Sequence, residues 1–236
     1  MKSIVVVMPA LNAEKTLSPV VRGLRTALPG AYIIGVNDGS TDGTGSLLRS
    51  MCDRTIEFPS NRGKGAALRA GFAAALERGC DAALTIDSDG QHDPAFAPSL
   101  LDALNHYHIA IGTRDLTGEQ MPRHRRLANF LSTAATRIVS GGAVSDSQSG
   151  YRAIRCEVLK EVNAKGERYE FETDFIIRAA HAGFTITNVP ISTIYGPQSY
   201  FREFRDAMRV IGVLWAHRMG AFRKHVPRAI SAVGDT

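Results

Sequence analysis

No window of this chain reaches the roughly 20 consecutive apolar residues that a helix needs to cross a bilayer. The apolar run near the start, residues 4–8, is cut short by Pro9 and reads as a strand rather than a secretion signal. Cysteine is scarce. Cys52, Cys80 and Cys156 are odd in number, far apart and without zinc-ligand spacing, which predicts three reduced thiols in a cytosolic protein. Familiar loop motifs are missing too: no G-x-x-x-x-G-K is followed by Ser or Thr. Gly63-Lys64-Gly65 continues with Ala66, Ala67 and Leu68, so the dinucleotide fingerprint fails. A calcium loop opening at Asp87 needs Gly at its sixth position and Glu at its twelfth, where His92 and Pro98 stand. No recognition-helix or aromatic-rich basic strand accompanies the net charge of +5, so nucleic acid is not the expected partner. The charge favours other anions, nucleotide phosphates or acidic lipid headgroups among them.

What is present is an alternation. Residues 4–8, 32–36, 55–58, 82–86 and 109–111 are short apolar or β-branched runs without clean alternation, as expected of strands covered on both faces. Between them lie helical patterns, with Leu17, Val20, Val21, Leu24 and Leu28 on one face of 14–28, and Leu68, Phe72 and Leu76 along an alanine-rich 63–78. The pattern predicts an α/β fold with a Rossmann-like, mostly parallel central sheet and helices on both faces. At 236 residues one domain is expected, over 1–226, followed by a tail over 227–236.

Ligands of such sheets sit beyond the carboxyl ends of the strands, and polar, glycine-rich residues gather at those ends. Pro9, Ala10, Asn12 and Glu14 follow the first run, Asn37-Asp38-Gly39-Ser40-Thr41-Asp42-Gly43 the second, and Asn61-Arg62-Gly63-Lys64-Gly65 the third. The fourth delivers Asp87, Ser88, Asp89, Gly90 and Gln91, and the fifth Gly112-Thr113-Arg114-Asp115. In extended chain Asp87 and Asp89 point to one side. About 5 Å apart, they repel by roughly 3 kcal/mol at an effective dielectric near 20. A hard divalent cation shared with substrate phosphates turns that repulsion into attraction.

The second half is less regular. Residues 122–140 form a helical stretch opened by Arg123-His124-Arg125-Arg126, and 145–152 a polar loop returning to a strand. Glu170-Phe171-Glu172-Thr173-Asp174 opens a helix with acids in its first turn. Residues 185–194 read as a strand interrupted by Pro190, and about 199–226 as an amphipathic helix with Arg202, Arg205 and Arg209 on one stripe.

Five blocks in order carry a resemblance: Val7-Met8-Pro9-Ala10-Leu11-Asn12-Ala13-Glu14, Val36-Asn37-Asp38-Gly39-Ser40-Thr41-Asp42, Asn61-Arg62-Gly63-Lys64-Gly65, Asp87-Ser88-Asp89-Gly90-Gln91-His92-Asp93-Pro94 and Ser149-Gly150-Tyr151-Arg152. The chain resembles family 2 glycosyltransferases, closest to the dolichol- or polyprenyl-phosphate mannosyl- and glucosyltransferases, over about residues 3–212. The resemblance implies a GT-A fold, a nucleoside-diphosphate sugar donor, Mg²⁺ or Mn²⁺, and inversion at the anomeric carbon. It implies that Pro9, Asn12 and Glu14 line the nucleoside pocket and that Asp38 reads the base; Ala10, Ser88 and Lys64, at the same strand exits, are further donor-site candidates. Asp87, Asp89 and Gln91 would form the metal shell. Arg114 and Arg125 or Arg126 would meet the diphosphate or acceptor phosphate, and Arg202 would lie over the donor phosphates. Asn37 stands where many members carry an acid. Many bacterial members continue into transmembrane helices. Lacking such a window, this chain is expected to be cytoplasmic and to meet the membrane peripherally or through a membrane-embedded partner.

The expected reaction moves a hexose from the nucleotide to a polyprenyl-phosphate-type lipid. A lipid phosphate is already anionic and needs no general base. A hydroxyl acceptor needs one, for which Glu172 and Asp174 are the candidates. The competing reading of another class is a non-catalytic nucleotide-sugar-binding subunit.

Overall fold

The computed structural model describes residues 3–114, 146, 149–168 and 170–192. Seven strands form one sheet: β1 (Ile4–Ala10), β2 (Tyr32–Asn37), β3 (Arg54–Glu57), β4 (Ala82–Thr85), β5 (Ile109–Arg114), β6 (Arg152–Arg155) and β7 (Ile186–Ile191), in the order β3-β2-β1-β4-β6-β5-β7. All neighbours are parallel except β6, which runs antiparallel to both β4 and β5. The helices are α1 (Leu17–Ala27), α2 (Thr44–Met51), α3 (Lys64–Glu77), α4 (Ala97–Ala103), α5 (Cys156–Glu161) and α6 (Glu170–His181). Three expectations fall outside the described residues: the 122–140 helix with Arg125 and Arg126, the 199–226 helix with Arg202, and the 227–236 tail.

Strand side chains alternate between faces, and in β1 both sets are apolar. Val5 and Val7 join Ile34, Val36, Phe72, Phe171 and Phe175 under α3 and α6. Val6 and Met8 join Leu17, Leu24, Ile33, Leu84, Leu100 and Tyr151 under α1 and α4. Each fully buried side chain of this size contributes about 1.5–3 kcal/mol, which explains why the strand runs lack a polar alternation. Helix α3 lies close to the sheet because Gly71 abuts Val7; a Cβ there would overlap the valine side chain.

The pairing register opens the crevice. β1 stays paired with β2 to Ala10↔Asn37, but with β4 only to Val7↔Thr85. Beyond that pair the two strands part at the point where strand order reverses, which is where ligands enter doubly wound sheets. Pro9 lies past the last β1–β4 pair, where its missing N–H interrupts no bond to β4.

Two expectations are corrected. Pro190 does not interrupt β7: the strand is continuous at the sheet edge, with Pro190 opposite Thr113, a place where proline's missing donor is tolerated. Nor are the three cysteines alike. Cys80 and Cys156 are disulfide-bonded with Cα atoms 6.1 Å apart, and Cys52 is free. The antiparallel β6 carries Cys156 to the amino end of β4, beside Cys80, a proximity invisible at a separation of 76 residues.

Candidate active site

The loops after β1 and β2 are zipped by side chain–backbone bonds. Asn12, the one described non-glycine residue with positive φ (49°), donates its N–H to Ser40 Oγ and accepts the Thr41 N–H on Oδ1. Asp42 accepts the N–H groups of Glu14 and Thr44, and Thr44 Oγ1 accepts from Ala13 N. Asp38 is buried, with its carboxylate accepting the Arg62 and Gly63 N–H groups at 2.7 and 2.9 Å, and Ala10 O accepts the Asp38 N–H. Burial raises the Asp38 carboxyl above its usual range, more than those two amides lower it. Asp38 therefore ties the second strand exit to the third.

The glycines of Gly63-Lys64-Gly65 serve a close approach. Gly63 has φ +102°, and a Cβ on it would strike Glu167 O; one on Gly65 would lie 2.5 Å from Phe171 Cβ. Glu167 O also accepts the Ala66 N–H. The segment before α6 is thus laid across the start of α3, and this brings Glu172 to Lys64.

Lys64 is the hub of the site. Its ammonium lies 2.7 Å from Asp87 Oδ1 and 3.1 Å from Glu172 Oε2. Glu172, 4% exposed at its side chain, also faces Arg152: Nη2 to Oε1 is 3.7 Å, and Nη1 donates to the Glu172 carbonyl at 3.2 Å. Arg152 Nε donates to Ser149 O, and Thr85 Oγ1 to Gly150 O. Gly150 presses on the Asp87 carboxylate so closely that a Cβ would collide with it. Because β6 is antiparallel, its beginning lies at the carboxyl end of β4, and Ser149-Gly150 becomes the seat of Asp87.

The two acids of the fourth exit differ. Burial pushes Asp87 upward, but the Lys64 ammonium, with Arg114, more than offsets it and leaves the carboxyl below its usual range. Asp89 is pushed up to about 6, first by burial and then by the Asp87 charge, although its Oδ1 accepts the Gln91 N–H at 3.0 Å. His92 is buried against Tyr151, its Nδ1 without a hydrogen-bond partner, and burial pulls its pKa down to about 4. It is an uncharged wall of the turn. Ser88 is held by its carbonyl, which accepts from Thr16 Oγ1 at 2.7 Å.

Arg114 leaves β5 toward the same point, and its charge acts on Asp87, Asp89 and His92. A fully buried Asp146 grips it bidentately at 2.7 and 3.1 Å. Asp174 does not join the Lys64 cluster: its Oδ2 accepts from Lys165 N and Arg178 Nε, both at 2.6 Å. The predicted residues Asp87, Asp89, Lys64, Glu172 and Arg114 are brought together; Arg125, Arg126 and Arg202 lie outside the described residues. Sequence reasoning missed Asp146 and the seating role of Gly150. Only the block Ser149-Gly150-Tyr151-Arg152 hinted at the latter.

The model of the family described as "Glycosyl transferase family 2" matches residues 5–162. The chain belongs to that family. It is a glycosyltransferase with a GT-A fold. It is 32% identical over 205 residues to the undecaprenyl-phosphate mannosyltransferase of Micrococcus luteus, covering 81% of this chain and 83% of the relative. It is 35% identical over 202 residues to the polyprenol monophosphomannose synthase of Mycolicibacterium smegmatis, covering 79% and 76%. Among solved structures it resembles glucosyl-3-phosphoglycerate synthase from Mycobacterium tuberculosis in complex with Mg²⁺ and UDP, with TM-score 0.75 and 24% identity, over 92% of this chain and 79% of that one. This family 2 glycosyltransferase has, among its described residues, no helix long and apolar enough to cross a membrane.

Proposed function

We propose that this glycosyltransferase moves a hexose, with inversion, from a nucleoside-diphosphate sugar to a polyprenyl-phosphate acceptor, with Mg²⁺ or Mn²⁺ at Asp87 and Asp89 and Gln91 alongside. The names of its relatives support the acceptor class. The observation that carries the reading is the paired carboxylates at the sheet's crevice. One is held ionised and the other is raised to about 6 in part by that charge. Such a pair fits a divalent cation. Hard cations bound with substrate phosphates use one or two carboxylates rather than a full protein cage. Among the described residues no group of three or more His, Cys, Asp and Glu could hold the ion alone.

A bound divalent cation supplies positive charge beside the diphosphate, where negative charge grows as the sugar departs. The chain's own part is electrostatic and positional. Arg114, fixed by Asp146, and the Lys64 ammonium lie where charge stabilisation favours the transition state over the ground state. The zipped loops after β1 and β2, with Pro9, Asn12, Glu14 and Asp38, form the nucleoside side.

The phosphate acceptor is favoured over a hydroxyl by the state of the candidate bases. Glu172 faces Lys64 and Arg152, and Asp174 is bound by Lys165 N and Arg178. Both carboxylates are thus committed to cations and amides of the chain itself, and an anionic phosphate acceptor needs no base. The membrane is then met peripherally, at the lipid.

The test is calorimetry with GDP-mannose, UDP-glucose and UDP-GlcNAc, with and without Mn²⁺, followed by transfer to a short polyprenyl phosphate. One donor should bind in a metal-dependent way and react, and Asp89→Ala should abolish both. Donor binding that is unchanged by EDTA and by Asp89→Ala overturns the reading.

A further inference from the structure

The position of Lys64 says more than that a cation adjoins the site. Its ammonium lies between two carboxylates that come from distant stretches of the sequence, Asp87 at the β4 exit and Glu172 in the first turn of α6. Both arms are set by tight packing. Gly63 and Gly65 let the segment before α6 settle on α3, and Gly150 backs the Asp87 carboxylate. The ammonium is therefore in the coordination space of one of the acids proposed to hold the divalent cation. A cation approaching Asp87 meets a resident positive charge 2.7 Å from the same oxygen.

We propose that Lys64 is the resident counter-ion of the site: it neutralises Asp87 and Glu172 in the protein without donor, and leaves Asp87 when a divalent cation and a diphosphate arrive together. This rests on the reading of Asp87 and Asp89 as the cation site. Two like charges cannot share one carboxylate in a part-buried site without strong repulsion. Cation binding alone is thus opposed, because Lys64 must give up its contact with Asp87. An entering diphosphate supplies the ammonium with a new anionic partner and removes the opposition. Lys64 in this way makes cation and nucleotide binding interdependent, and suppresses loading of the site by metal alone.

This differs in sign from a lysine that merely binds phosphate. Electron paramagnetic resonance of free Mn²⁺, titrated with the nucleotide-free full chain, measures it directly. Lys64→Met should bind Mn²⁺ roughly tenfold more tightly than the wild-type protein. Lys64→Arg, which keeps the charge, should stay within about threefold of wild type. In the presence of GDP or UDP the wild-type protein should gain Mn²⁺ affinity, and Lys64→Met should show most of that gain lost. Equal or weaker Mn²⁺ binding by Lys64→Met, with wild-type binding still abolished by Asp87→Asn, overturns the counter-ion proposal and leaves the site assignment standing. Wild-type Mn²⁺ binding that Asp87→Asn does not alter overturns both. Should Lys64→Met fail to fold, the wild-type crystal structure with Mn²⁺ and UDP decides. Lys64 Nζ beyond 4 Å (about the ion-pair limit) from both Asp87 oxygens supports the proposal, and retention of the contact refutes it.

Discussion

Gly150→Ala tests the architecture of the site with one methyl group. The added Cβ collides with the carboxylate of Asp87, meeting its carbon and both oxygens at once. The carboxylate is also held by Lys64 at 2.7 Å, so yielding to the methyl group costs it that contact. Either the β6 entry shifts, breaking the Thr85–Gly150 bond of 2.8 Å, or Asp87 turns away from Lys64. Overpacking of this kind costs about 1–3 kcal/mol, and a part-buried ion pair pulled apart adds about 1 kcal/mol more. At about 2–4 °C per kcal/mol for a chain of this size, the melting temperature should fall by roughly 4–16 °C. The Mn²⁺-dependent donor affinity should fall at least about tenfold, because Asp87 no longer points where it did. The control is Gly30→Ala, where an added Cβ meets nothing within 4 Å and φ is not positive. That variant should be neutral or up to about 1 kcal/mol more stable. Differential scanning fluorimetry and calorimetry read both quantities. A Gly150→Ala protein with wild-type melting and wild-type donor affinity refutes the close seating of Asp87 and the role derived from it.

The raised Asp89 carboxyl gives a pH prediction. With a folded-state pKa of about 6 against an unfolded value near 3.8, its contribution to stability is fully present below pH 3.8 and is lost as pH rises through 6. In urea melts with EDTA, the stability of wild type relative to Asp89→Asn should therefore decline by about 1–3 kcal/mol between pH 4 and 7; a flat difference refutes it. Mn²⁺ affinity should weaken by up to about tenfold per pH unit below 6, since the Asp89 proton must leave first. Asp174→Asn should lower stability by about 1–3 kcal/mol through loss of Arg178 and the Lys165 N–H, yet keep kcat for a polyprenyl phosphate within about tenfold. A fall of 10²–10⁴ marks a general base instead. The disulfide closes a loop of 76 residues, and its reduction should cost about 4 kcal/mol in the chain-entropy picture. Thiol titration in denaturant should count one thiol before reductant and three after, and three at the outset removes the disulfide from the account.

The strand runs were legible because burial on both faces leaves continuous apolar stretches, and the helix of Leu17, Val20, Val21 and Leu24 because its spacing is 3.6. Helices α2 and α4 were not read: each is short, and Gly45 and Pro98 weaken the pattern. The acids at the fourth exit stood out because two carboxylates one residue apart at a strand end point to one side and repel each other. Asp146 and Gly150 did not, since a buried acid and a small residue carry meaning only through what they touch. Asp174 looked equivalent to Glu172 in sequence. On the helix the two are about 200° apart, so one faces Lys64 and the other Arg178.

By itself, then, the sequence determined the α/β alternation, the strand exits at which the candidate site residues gather and the family, because each depends on residue order and short-range periodicity. The partners of each charge were decided only in three dimensions. An antiparallel β6 sends Gly150 to Asp87 at one end of the sheet and Cys156 to Cys80 at the other. The packing of α6's approach on Gly63 and Gly65 places Glu172 against Lys64. Such contacts join residues distant in the chain, and no local pattern encodes them.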